Sequence, residues 1–506
     1  MKYYILTLLS VISLALYAKG SPDNMQNNVV AWESPWVSYS NYFLYNPSAT
    51  FALPQANIKE IRASYLYNHA DNGLHLVQDG DGYSAKKLSS ESFQQVSHYS
   101  FFGKAEYIND QKNNVAWRDV EDRSLLSPYF IADSIGGDYK REAYSLSGGA
   151  SLRKHNIEWG IRGTYTGGVS YREVDPRPRN TVSVIQVNPG LSYFNGNWRF
   201  GLFGEYTRYR QNVDIQVEKE NKKIFFYLLQ GFGNYNRQFS ILAETFTRTY
   251  KGNLFNAGFH INNTNSKQST GALMVFKIAD IQTNEADRRI PYRLKHYEIE
   301  SQLTYEQKLI SQTLFLKGNY NLHQTIGNET QYYPTTINTS FVVWNVLTQA
   351  DRYQSLNQQI QLSALLANKN NSVFSVWEQI DLRLHDSKDN YYVPDYYQNI
   401  QDITTTGTIG FNCPVKRLSL TGYVKAGYKK TLSSSLFQDE NNLITKKLIL
   451  PDYDFLCSDI AFYQLTMKLH FPLSKALIGN ISAEGGLLTA KEKKAISANI
   501  VFALNF

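Results

Sequence analysis

Apolar and polar residues take turns along most of this 506-residue chain. At its end Ile496, Ala498, Ile500, Phe502, Leu504 and Phe506 share one parity, interleaved with Ser497, Asn499, Val501, Ala503 and Asn505. The same period of two runs through 461–471, 418–428 and 314–322. It recurs earlier, where Trp198, Phe200, Leu202, Gly204 and Tyr206, and Tyr144, Leu146, Gly148, Ala150 and Leu152, alternate with polar neighbours. A period of two puts successive side chains on opposite faces of an extended strand. Runs of roughly 9–11 residues match strands that cross a bilayer at a tilt, one face in hydrocarbon and the other toward a polar lumen.

Short polar turns join many of these runs in pairs, at 154–156, 195–197, 263–267, 368–371 and 472–474, while longer polar segments separate the pairs, notably 109–141, 211–251 and 327–351. Short periplasmic turns and long extracellular loops have this rhythm. The pattern predicts an all-β, transmembrane antiparallel β-barrel of about 18 strands, with roughly 14 to 18 acceptable. The first strand begins near Ile58, the C-terminus lies on the periplasmic side, and 211–251 is the least regular stretch. Soluble β-sandwiches would require linkers about every 100 residues, and none punctuates the chain.

Composition sharpens this picture. Beyond Gly20 no apolar run is long enough for a membrane-spanning helix, and the mean hydropathy of −0.39 is that of a soluble protein. Aromatic residues nevertheless reach 14%, with 37 Tyr and 27 Phe, which suits strands ringed by interfacial aromatics. Trp159 and Trp198, each just past a short turn, are expected in the periplasmic girdle. Met1-Lys2, the apolar run 3–17 and Ala18-Lys19-Gly20 have the three regions of a secretory signal peptide. The expected division is therefore a signal peptide at 1–20, a short plug or periplasmic segment at 21–57 and the barrel at 58–506. The location implied is the outer membrane of a Gram-negative bacterium. The formal net charge of +7 falls by two once Lys2 and Lys19 leave, and the remainder is spread along the chain. Such a surface suits outer-membrane lipid and argues against nucleic acid.

Parity also nominates the residues that line the lumen: Arg153, Arg199, Glu205, Glu298, Glu300, Lys317, Asp381, Arg383, Lys425, Lys468 and Glu484. They either contact a solute or pair with one another to brace the barrel. Glu378 falls on the apolar parity and is expected near a rim. Cys413 and Cys457 belong at opposite ends of the barrel, about 25 Å apart, too far for a disulfide. No metal spacing occurs among the nine His, and the loop carboxylates Asp79, Asp81, Asp122, Asp133 and Asp138 match no calcium loop. No nucleophile motif is present, so no catalytic, cofactor-binding or metal-binding residue is assigned. A barrel hydrolase using His98 ranks third among the functions considered.

Three resemblances add to this reading. The terminal Phe502, Leu504 and Phe506 resemble the C-terminal signal read by the barrel assembly machinery, which would make that machinery a partner. The segments 73–83 (GLHLVQDGDGY), 129–138 (YFIADSIGGD), 175–180 (DPRPRN) and 189–193 (PGLSY) resemble an uncharacterised outer-membrane β-barrel family of Bacteroidota, which implies fold and location without a function. Asn46-Pro47-Ser48 resembles the Asn-Pro-Ala segment of the long-chain fatty-acid transporter family. That likeness implies a monomeric barrel with a small N-terminal hatch. The stretch before the first strand is too short for the globular plug of TonB-dependent receptors. Two functions follow as expectations: a monomeric small-molecule transport channel without covalent chemistry, or a surface or assembly component whose long loops bind a partner protein, surface lipoprotein or glycan.

Overall fold

The computed structural model describes residues 35–39, 42–52, 57–71, 73–218, 224–240, 246–338, 341–368, 375–415, 418–474 and 477–506. The expected signal peptide and residues 21–34 lie outside them. In chain order the first strands are β1 (Ile58–Ala70), β2 (Gly82–Val96), β3 (Tyr99–Val115), β4 (Ile131–Asp133), β5 (Gly137–Lys154), β6 (Ile157–Arg172), β7 (Arg177–Asn195) and β8 (Trp198–Gln216). Next come β9 (Phe225–Gly231), β10 (Asn234–Ser240), β11 (Phe246–Thr264), β12 (Gln268–Glu285), β13 (Tyr292–Lys308), β14 (Gln312–Asn338) and β15 (Phe341–Asn368). The last are β16 (Ser375–Tyr392), β17 (Asp395–Val415), β18 (Leu418–Phe437), β19 (Ile460–Ser474), β20 (Leu477–Ala490) and β21 (Lys493–Asn505).

Eighteen of these strands form one antiparallel sheet in which each pairs with its neighbours in sequence, while β4, β9 and β10 form a separate small sheet. The large sheet closes where β1 meets β21, from Glu60 opposite Asn505 to Ala70 opposite Ala495. Closure leaves no unpaired edge, as hydrocarbon demands of a spanning sheet. No described helix is long and apolar enough to cross a membrane. The expected count of about 18 is met, and the irregular 211–251 stretch is where β8 and β11 pair directly while the residues between them leave the wall.

The two parities separate as their chemistry requires. Trp198, Phe200, Leu202, Tyr206, Leu146, Tyr165, Ile380, Val424, Leu465 and Ile500 are exposed on the outside, which makes this an outer-membrane β-barrel. Trp159 and Trp198 stand exposed beside their two-residue turns. An apolar recess of about 540 Å³ lies in an outer groove among Leu303, Leu316, Leu362 and Ile380, positioned for acyl chains rather than solute. Glu378 also points outward, four residues into β16 from the short-turn end. Cys413 lies near that end and Cys457 follows the helix Leu450–Leu456 at the opposite one, and both thiols are free.

The loop end departs from the simple rhythm. Of the long segments, 327–351 is mostly a continuation of the β14–β15 hairpin beyond its neighbours, since β13 stops pairing at Glu329 and β16 at Tyr353. The middles of the other two turn inward as β4, β9 and β10. Their apolar side chains pack with inward residues of the wall into one buried cluster: Trp117, Leu126, Tyr129, Ile131, Phe226 and Leu228 against Tyr209, Val213, Ile215, Tyr250, Ile281, Tyr292 and Leu294. The segment 438–459 joins them through Ile444 and Leu448. The main apolar core of this barrel therefore lies inside its mouth.

Candidate functional site

The lumen has a floor, a polar belt and a ceiling. Residues 35–39 and 42–52, which form three short 3-10 turns, lie along the inward wall a few residues above the short turns. Asn46, Ser48, Ser192 and His260 are all completely buried. The Asn46 side-chain oxygen Oδ1 accepts hydrogen bonds from the Ser48 amide (3.0 Å) and hydroxyl (2.7 Å). The Asn46 amide group reaches the Leu191 carbonyl (3.3 Å), the Ser192 hydroxyl (3.4 Å) and His260 Nε2 (3.1 Å). Ser48 and Ser192 hydroxyls meet at 2.7 Å, and the Ser151 hydroxyl donates to the Pro47 carbonyl at 2.7 Å. Further along, the Tyr42 ring stacks on His260 with its hydroxyl 3.0 Å from Thr304, and Tyr39 packs on Phe315.

Three inward-facing glycines make room for this segment, and a fourth makes room for the His260 ring that the segment contacts. A Cβ at Gly160 would lie 2.5 Å from the Pro47 carbonyl carbon and the Ser48 nitrogen. One at Gly190 would collide with Asn46, one at Gly201 with the His260 ring and one at Gly271 with Tyr42. Bare backbone at these four places forms a groove shaped to the segment, the close approach that glycine inside a strand commonly marks.

Arg153 and Arg199 lie at this level too. Both reach the fully buried Glu158, through Arg153 Nε at 2.6 Å and Arg199 Nη2 at 2.7 Å, and both guanidinium groups face the Phe194 ring. These two expected lining residues are thus engaged in an ion triad beside the floor, with Phe51 of the segment over Arg153. The other nine stand higher, on inward positions of their strands. Lys277 binds Glu300 (2.5 Å) and Glu298 (3.3 Å), and Glu205 accepts from Asn256 (2.8 Å). Asp381 accepts from Ser363 (2.5 Å) and Gln379 (2.9 Å), and Arg383 donates to Thr404 (3.1 Å). Lys425 lies 6.0 Å from the Phe462 ring, Lys468 sits opposite Ser482, and Glu484 lies 3.5 Å from the Thr466 hydroxyl. Sequence reasoning missed Glu158, Lys277 and the His385–Asp402 pair (3.0 Å), all on inward parity.

Buried ionic contacts pin the ceiling to the wall. Arg172 binds Asp133 at 2.6 Å with both side chains inaccessible, and Tyr139 donates to Asp119 at 2.9 Å. Burial, and next the neighbouring Asp133 carboxylate, push the Asp119 pKa well above the ordinary range. The turn at Val77–Asp79 is tied to the helix Leu450–Leu456, whose Asp452 accepts the Val77 amide at 2.7 Å. A cavity of about 230 Å³ remains among these loops, lined by Phe130, Leu229, Tyr353, Ile444 and Leu448 with Asp389 and Asp452. All five loop carboxylates singled out in the sequence thus have protein partners: Asp79 binds Arg118 and Arg123, Asp81 accepts from the Asn114 side-chain amide (2.8 Å), Asp122 accepts from Tyr209, Asp133 holds Arg172, and Asp138 accepts from the Asn114 backbone amide (3.0 Å). No group of three or more His, Cys, Asp or Glu poised for a metal occurs among the described residues. His98 sits in the two-residue β2–β3 turn, its Nδ1 2.8 Å from the Ser97 hydroxyl.

Comparison with known proteins gives a family and a general likeness. Residues 47–506 match the sequence model of a family described only as of unknown function, DUF6850. No curated protein matches the chain. Among solved structures, the ferric preacinetobactin receptor BauA of Acinetobacter baumannii shares 7% identity over 89% of this chain and 80% of its own, at a TM-score of 0.40. The copper transporter OprC shares 6% over 89% and 82%, at 0.43. The outer membrane transporter YddB from Escherichia coli shares 8% over 90% and 81%, at 0.40. At these scores the likenesses carry no argument about function.

Proposed function

The chain belongs to this family of unknown function, DUF6850, so its role has to come from its own geometry, and we propose that it is a gated transport barrel for small polar solutes. The observation that carries the reading is the glycine-lined seat. A segment held by a dedicated groove and a buried hydrogen-bond network, inside a barrel whose mid-height wall is charged, is built as a hatch. Residues 42–52 are the hatch, the inward-folded loops are the outer gate, and the belt from Glu205 to Glu484 is the transit surface. No covalent step is required, and a monomer suffices because one chain closes the ring. The test is reconstitution in planar bilayers and liposomes with sugars, peptides and fatty acids as solutes. Wild-type barrel should conduct little, and removal of residues 21–52 should raise both conductance and uptake of the polar solutes. A barrel that stays impermeable to all of them after that deletion refutes the reading.

One observation favours a second role. Beyond Glu329 the β14–β15 hairpin pairs with no further strand among the described residues, its base meeting the preceding loop through the Thr330 amide on the Pro291 carbonyl (2.9 Å) and Arg289 over the Trp344 ring, and residues 330–350 contain no charged side chain while exposing Tyr333, Val342, Val346 and Leu347. Unpaired, uncharged edges invite another strand. Partner capture from intact outer membranes that is lost when 330–351 is trimmed would support a surface or assembly role, and capture that survives trimming would oppose it.

A further inference from the structure

On the outside of the barrel, the apolar band ends in register on four adjacent strands, at Tyr206 on β8, Phe255 on β11, Ile278 on β12 and Tyr297 on β13, and on β7 it runs one step further to Ile185, opposite Arg208; all five are exposed. The next outward position on β8 is Arg208, and on β13 it is Lys295. One step further, Arg210 on β8 stands directly opposite Lys251 on β11. Arg293 follows on β13, where it binds Asp280 through Nε at 2.7 Å. Two cations facing each other across paired strands are unfavourable unless an anion lies between them. Among the described residues no carboxylate forms an ion pair with Arg208, Arg210 or Lys251, and Asp280, which stands opposite Lys295, is taken by Arg293. The arrangement is also braced, since the Arg208 guanidinium and the Tyr206 hydroxyl share the Asn253 carbonyl oxygen at 2.6 Å and 2.9 Å.

We propose that Arg208, Arg210 and Lys251 form a binding site for a phosphorylated lipid headgroup of the outer leaflet. The patch begins where the hydrocarbon ends, so a lipid whose acyl chains lie on Leu202, Phe255 and Phe276 brings its headgroup to these three cations. Arginine and lysine at the headgroup level attract anionic lipid, and guanidinium groups match phosphate geometry. The site rests on the orientation used above, with the short turns on the periplasmic side.

Native mass spectrometry of the full-length barrel in detergent tests it. The probes are lipid A with two phosphates, lipid A stripped of phosphate, phosphatidylglycerol and inorganic phosphate. The expected result is retention of the bisphosphorylated lipid at least about tenfold better than the dephosphorylated form, an advantage lost when Arg208, Arg210 and Lys251 are all replaced by Gln. A barrel carrying Lys388→Gln and Lys430→Gln on the opposite wall should retain the lipid like wild type. Single Arg210→Gln and Lys251→Gln variants give the same reading if the triple variant does not fold, each with a severalfold loss. Equal retention by triple variant and wild type, or of lipid with and without phosphate, overturns the site. Preference for phosphatidylglycerol, or competition by inorganic phosphate at millimolar concentration, overturns the assignment to an outer-leaflet lipid. None of these outcomes depends on whether the barrel conducts, so the site and the transport reading fail separately.

Discussion

Replacing Gly160 by alanine adds one methyl group to the barrel wall and alters nothing in residues 35–52. That methyl would sit 2.5 Å from the Pro47 carbonyl carbon and the Ser48 nitrogen, both backbone atoms. Ordinary carbon contacts need about 3.5 Å, so the segment has to retreat by about 1 Å. Such a shift carries the Ser48–Ser192 and Ser151–Pro47 hydrogen bonds, both 2.7 Å, beyond hydrogen-bond range, and the 3.4 Å bond from Asn46 to Ser192 with them. Three net hydrogen bonds at about 1 kcal/mol each give a loss of about 3 kcal/mol, since the groups freed on the wall can be reached by water once the segment lifts. The undocked population should rise by roughly two orders of magnitude. The barrel itself should be unharmed, because alanine inside a strand is at least as favourable as glycine. Hydrogen exchange read by mass spectrometry separates the two effects. Amides in 42–52 should exchange about a hundredfold faster while those of β6 and β7 keep their protection. Unchanged protection in 42–52, or a lower unfolding temperature of the whole barrel, would show that the glycines do not form a seat for this segment.

Three further outcomes follow from the same geometry. Glu158→Gln leaves two guanidinium groups without their shared counter-charge, and because Arg199 is buried while Arg153 is partly wet, the loss should be about 3 kcal/mol, read as a lower unfolding midpoint in detergent. Asp452, held at a pKa of about 6 mainly by burial, favours the closed loop contact in its protonated form. Its stabilising contribution is complete below the ordinary value of 3.8 and disappears as pH rises through about 6, so protection of the Val77 amide, taken relative to the intrinsic exchange rate at each pH, should fall between pH 4 and 7 in wild type and stay constant in Asp452→Asn. Thiol counting on the unfolded mature chain should find Cys413 and Cys457 both reactive, and an intramolecular bond between them would contradict the strand order.

Strand parity was legible because hydrocarbon tolerates few polar side chains, so each outward row from Tyr144 to Phe502 carries its own label. The turns at 154–156 and 195–197 fixed the register of their hairpins for the same local reason. What stayed hidden is what happens inside. Water, an ion partner or another part of the chain can fill an inward position, and alternation does not distinguish these. Val213, Ile215, Ile281 and Leu294 are apolar on the inward parity because loops fold back on them, which a two-state pattern of outside and inside has no symbol for. Arg153 and Arg199 fall on the inward parity, yet the groups that occupy them, Glu158, Phe194 and Phe51, come from other strands and from before β1.

One signal for the hatch was in the sequence nonetheless. Gly160, Gly190, Gly201 and Gly271 all fall on inward parity within strands, where a glycine weakens the wall and calls for a compensating contact. Asn46-Pro47-Ser48 supplies that contact at the first three of them, since Pro47 and Ser48 cover Gly160, Asn46 covers Gly190 and its amide holds the His260 ring over Gly201. The 189–193 segment that suggested a barrel family contributes Gly190 and Ser192 to this floor, and the 129–138 segment contributes Tyr129 and Asp133 to the ceiling. A wall needed only to enclose water would have no use for glycines in that alignment, and fixed ion pairs at both ends of the lumen oppose a permanently open pore. Under the transport proposal these two closures are the gates, and the charged belt between them would be reached by solute when one of them moves.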